Sequence, residues 1–91
     1  MPTEYYVITF HSTFAALQFE KTTKDQSWPI RLVPVPRQIS SSCGLAMRVS
    51  PSHIAAVAEF CTHTELDIDT IYHIFDDKSK PPQPWAGWEQ V

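Results

Sequence analysis

PIRLVPVP, residues 29 to 36, alternates in polarity like a β-strand yet holds prolines at 34 and 36. Residues of one parity in a strand aim their N–H groups to the same side, so these two prolines remove donors from one side only. That pattern suits an edge strand whose unpaired side faces solvent. It also discourages stray pairing along that edge.

Neighbouring segments supply the rest of a sheet. EYYVITF, residues 4 to 10, is β-branched and aromatic with apolar residues at both parities, which predicts a central strand. GLAMRV, residues 44 to 49, predicts another strand, and DIDTIYHIF, residues 67 to 75, a last one. Two helices separate them. Ser12 or Thr13 is suited to cap a helix over residues 14 to 24. Its stripe runs through Phe14, Leu17 and Lys21, with Ala15, Ala16 and Phe19 widening the apolar face. Ser50 is suited to cap a second helix with Pro51 in its first turn. There Ile54, Val57, Ala58 and Cys61 recur at the spacing of one helical face.

The order β-α-β-β-α-β predicts an α+β, ferredoxin-like sandwich: a four-stranded antiparallel sheet with two helices on one face. Right-handed crossovers place the first and third strands centrally and the second and fourth at the edges. The two-proline strand is the second, in agreement. A bare β-α-β-α unit completed by a swapped partner is the alternative. The domain is expected to span residues 1 to 76. Residues 77 to 91, rich in proline with Trp85 and Trp88, read as an extended or disordered tail whose tryptophans either dock elsewhere or are incidental.

Composition narrows the function. Ninety-one residues make one small domain with a thin core. A net charge of −3 disfavours general nucleic-acid binding. No run approaches the ~18 apolar residues of a membrane span, and the N-terminus lacks a signal-peptide pattern. Two cysteines without a framework pattern point to a reducing compartment, hence the cytoplasm. The four histidines show no metal-ligand spacing, and two glycines are too few for a phosphate-binding loop. No cofactor is expected.

Charge is unevenly placed. Between Asp25 and Glu59 there is no acid, but there are Arg31, Arg37 and Arg48. Cys43 lies amid this positive stretch, in SSSCG, at the border of a polar loop and a strand. Arginines nearby favour the thiolate, which is the reactive form. Ser40, Ser41, Ser42 and Gly44 could add hydroxyl and N–H donors for an anion. Equally, Cys43 could be a small filler at a strand end. Cys61, on the apolar face of the second helix, reads as core.

YYVITFHST and IRLVPVPRQISSSCGLAMRV together resemble the selenium/sulfur carrier protein-like family. The likeness covers residues 5 to about 50, and VPRQISSSCGLA, residues 35 to 46, is its specific part. The Thr22–Thr23 pair, Ser27–Trp28 and the tail depart from the pattern, which touches packing and partners rather than the cysteine loop. The resemblance implies that Cys43 carries sulfur or selenium as a persulfide or selenosulfide. Its loop would be Arg37, Ser40, Ser41, Ser42 and Gly44, and in the carrier reading Arg37 and Arg48 would stabilise the anion. It also implies a donor protein and an acceptor protein as partners, and a stoichiometric shuttle rather than a turnover enzyme. A homodimer is compatible with the fold. The rival reading is a regulatory module that binds an anion or a protein while its cysteine stays passive.

Overall fold

The computed structural model describes residues 4–39, 44–64, 68–75 and 79–85. Five strands form one antiparallel sheet: β1 (Tyr5–Thr9), β2 (Arg31–Pro34), β3 (Leu45–Val49), β4 (Ile71–Ile74) and β5 (Gln83–Pro84). Their spatial order is β2-β3-β1-β4-β5. Helix α1 (Thr13–Thr23) follows β1, and α2 (Ile54–Thr64) follows β3.

β1 and β3 are internal and the two-proline strand is at an edge, as the sequence predicts. The proline argument holds at the level of single bonds. Val35 N–H donates to Gly44 O across the hairpin at 3.1 Å. Pro34 and Pro36, of the opposite parity, therefore face away from β3 and sacrifice no ladder bond.

The four-stranded expectation is corrected. β4 is not an edge, because β5 pairs along its outer side, with Tyr72 opposite Pro84 and His73 opposite Gln83. Part of the stretch read as a tail thus joins the sheet. Trp85 anchors it: its N–H donates to Ile71 O at 2.6 Å, and its ring meets Tyr6 edge-on at 5.3 Å. Trp88 lies outside the described residues.

Apolar residues divide into two clusters by strand parity. Ile8, Phe10, Met47, Val49 and Ile71 pack with Ala15, Ala16 and Phe19 of α1 and Ile54, Val57, Ala58 and Cys61 of α2. Both helices therefore bury their apolar faces in one layer. Full burial of Phe19 alone contributes on the order of 2–3 kcal/mol. On the other side of the sheet, Val7, Ala46 and Ile39 form a smaller cluster bordered by Tyr5, Val33, Val35, Tyr72 and Ile74.

Ser12 caps α1, its hydroxyl accepting from Ala15 N–H at 3.1 Å. The stripe expected to be buried is shifted. Ala15, Ala16, Phe19 and Thr23 face the sheet, while Phe14 and Leu17 are 76% and 50% exposed. The i, i+4, i+8 row 15/19/23 is small or flat enough to sit on β3, and Thr23 joins it by donating its hydroxyl to Phe19 O at 2.8 Å. A 3₁₀ turn, Lys24–Gln26, and Ser27 at φ 57° end the helix without a glycine. The face predicted for α2 is the one observed. Its start differs: residues 51–53 form a turn, and the Ser50 hydroxyl bonds the His53 ring instead of a helix N–H.

Candidate functional site

The hairpin β2–β3 carries the residues that the sequence singles out. Its loop begins as a turn closed by Ile39 N–H donating to Pro36 O at 3.0 Å, with Arg37 and Gln38 exposed at the corner. Ile39 then turns inward and is only 7% exposed, packed in the helix-free cluster with Val7 and Ala46. On the far side the chain rejoins the sheet at Gly44, whose carbonyl accepts the Val35 bond. Both flanks of the SSSC segment are thus fastened to the sheet. Ser40, Ser41, Ser42 and Cys43 themselves lie outside the described residues.

Gly44 is exposed, and its φ is not positive. A Cβ built there meets no described residue within 4 Å. Neither its backbone conformation nor packing against the described residues therefore requires a glycine at 44. Arg37 has no carboxylate within ion-pairing distance among the described residues.

Arg48 is set apart from Gly44. It lies four residues beyond Gly44 on an extended chain, about 13 Å at ~3.3 Å per residue. Its guanidinium stacks on the Tyr5 ring, Cζ 4.1 Å from the centroid. Tyr5 neighbours Val7, the cross-strand partner of Arg48, on the side away from Gly44. Arg48 thus leans toward the opposite end of the hairpin. What it does face is Arg31, directly opposed on β2. In the sequence Arg31 stands only as one charge in a positive stretch, because its pairing depends on the β2–β3 register.

Cys61 is 4% exposed in the main core, and burial pushes its thiol up to about 12. It is a packing residue that stays protonated at neutral pH.

The histidines are dispersed. His53 Nδ1 lies 3.0 Å from both the Ser50 and Ser52 hydroxyls. His73 Nε2 is 2.9 Å from Glu4 Oε1, its ring stacked on Tyr6 at 4.6 Å. His63 is 3.7 Å from Glu59 on the exposed side of α2. His11 is exposed at the start of α1. Among the described residues no three His, Cys, Asp or Glu side chains converge as metal ligands. No described helix is long and apolar enough to cross a membrane.

No curated protein and no solved structure matches the chain. One family model does, over residues 5–73, a span that contains β1 to β3, both helices and the whole cysteine loop and reaches into β4. With three quarters of the sequence matched, the chain belongs to the family described as "Putative Se/S carrier protein-like".

Proposed function

We propose that the chain carries sulfur or selenium on Cys43 between a donor protein and an acceptor protein. The observation that carries this reading is the family match, which includes Cys43, combined with the state of the other cysteine. The sequence has two cysteines, and Cys61 is buried and protonated. A carrier thiol must ionise and reach a partner, and Cys43 is the residue left for that role.

The step is an exchange without net oxidation. The Cys43 thiolate attacks the outer sulfur of a donor persulfide. A new S–S bond forms at Cys43, the donor's S–S bond breaks, and the donor cysteine leaves as a thiolate. The outer atom keeps its proton or releases it to water. An acceptor nucleophile then attacks the same atom and returns Cys43 as thiolate. A selenium atom follows the same path. Arg37, at the entrance to the loop, supplies positive potential that favours the thiolate and the persulfide anion. The seryl groups at 40–42 supply hydrogen-bond donors. Gly44 leaves room for the donor's backbone to approach. Arg48, at the other end of β3, is not assigned to this step.

The order β2-β3-β1-β4 supports reading the first four strands and two helices as a ferredoxin-like unit, with β5 appended. In such a unit the β2–β3 loop projects from the sheet end, where a partner has access.

The test is an intact mass after incubation with glutathione persulfide. Wild type and Cys61→Ser gain one sulfur, and Cys43→Ser gains none. If Cys43→Ser still gains sulfur, the assignment is wrong. Rate of alkylation separates the carrier from a module with a passive thiol: a carrier cysteine reacts fast at neutral pH, a passive one only near pH 9.

A further inference from the structure

The opposed arginines point to a second site, independent of Cys43. Arg31 and Arg48 are cross-strand partners in the β2–β3 register. Directly opposed residues project from the same face with Cβ atoms about 5 Å apart, and like charges so placed destabilise a strand pair. Neither guanidinium has a carboxylate within ion-pairing distance among the described residues. The fold keeps the repulsion and even orders one partner, since Arg48 is stacked on Tyr5.

A cleft of about 780 Å³ opens at this end of the sheet, walled by both arginines, Tyr5, Glu4 and the Ser50–Ser52 turn. The volume is in the range of small-molecule sites. Ser50 Oγ and Ser52 Oγ lie 3.1 Å apart, each 3.0 Å from His53 Nδ1. With Nδ1 protonated, that nitrogen donates and at least one of the two hydroxyl protons is left to donate elsewhere. Glu4 is the one acid among the described residues of the wall, and its Oε1 is engaged by His73 Nε2 at 2.9 Å.

We propose that this cleft binds a small tetrahedral dianion, phosphate or the phosphate group of a small organic molecule. Two planar guanidiniums offer paired N–H donors to adjacent oxygens and match the two negative charges. Bound anion converts the Arg31–Arg48 repulsion into a shared attraction. The net charge of −3 and the bounded volume favour a small ligand over a polyanion such as nucleic acid. The site lies at the end of β3 remote from Gly44, so it stands or falls apart from sulfur transfer.

Amide ¹H–¹⁵N spectra of the full chain test it, with inorganic phosphate and then phenyl phosphate added at ionic strength held constant with sodium chloride. The expected result is saturable shifts confined to Arg31, Arg48, Ser50, Ser52 and their neighbours. Arg31→Gln should weaken binding at least tenfold. It should leave the thermal midpoint in chloride unchanged or higher, because repulsion is removed while the Arg48–Tyr5 stack is kept. Arg48→Lys, which keeps the charge but loses the fork, should bind with intermediate strength and serves if Arg31→Gln does not fold. Tighter binding of phenyl phosphate identifies an organic phosphate; equal binding identifies the free anion. Diffuse or non-saturating shifts, or the same affinity in a folded arginine variant, overturn the proposal.

Discussion

The β2–β3 hairpin has two chemically different ends. At the loop end, Arg37 and Gly44 are exposed and belong to one contiguous stretch of chain. At the other end, Arg31 and Arg48 are seventeen positions apart in sequence and become neighbours only through strand register. Under the proposed function, the first end is where a partner would meet the carrier thiol. The second holds two arginines without an ion-pair partner among the described residues, beside a cleft. Positive charge that looks like one feature in the sequence is divided between two places, and the length of β3 is what divides it.

The comparison can be broken most strongly at the middle of β3. Met47 is buried on the helix side, between the two ends. Met47→Ala should destabilise the fold by about 2–5 kcal/mol through the cavity it leaves. Denaturant unfolding reads this directly, and a loss below 1 kcal/mol would show that the ends are not held by a common core.

The two cysteines offer the next contrast. Cys61 has its thiol raised to about 12 by burial, well above an unfolded cysteine. Between roughly pH 9 and 12 the unfolded chain has therefore lost a proton that the folded chain retains. Stability falls with rising pH across that window and is undiminished by this group below it. Cys61→Ala should flatten this alkaline decline relative to wild type, measured as the difference in unfolding free energy at pH 7 and pH 10.5. An unchanged slope would mean that the Cys61 thiol is not desolvated.

Arg37 and Arg48 separate the ends kinetically. Arg37→Gln should slow alkylation of Cys43 at pH 7 by a few-fold, since a nearby cation lowers a thiol's pKa. Arg48→Gln should leave that rate unchanged, because its guanidinium sits over Tyr5. Equal slowing by both would join the ends into one electrostatic site.

The smallest effect sharpens the role of Gly44. With a negative φ and no described residue against its Cβ, Gly44→Ala should leave stability unchanged or raise it by about 0.4–1 kcal/mol. Alkylation of Cys43 by a small reagent should be unaffected while sulfur uptake from a bulky protein persulfide slows. Equal rates with both would mean that the glycine does not serve partner approach.

Much of the fold was legible. Strand alternation, the two prolines and the α2 face predicted an edge strand, two central strands and the buried side of a helix. Misreadings arose where periodicity alone was used. Phe14 and Leu17 have the right chemistry for a core, but the α1 rotation is set by what fits against β3, which favours Ala15, Ala16 and Phe19. β5 has no strand signal in QP; it is held by pairing with β4 and by Trp85 on Tyr6. Of the candidate site, the contiguous motif around Cys43 could be read directly, since a loop's chemistry lies in consecutive residues.

By itself the sequence determined the alternation of strands and helices, the edge position of the proline strand and the cysteine-bearing motif, because each depends on neighbours along the chain. The tertiary structure alone brings Arg48 opposite Arg31 and adds residues 83–84 to the sheet as a strand. Those outcomes depend on register and pairing, which arise when distant segments meet and have no signature in any one of them.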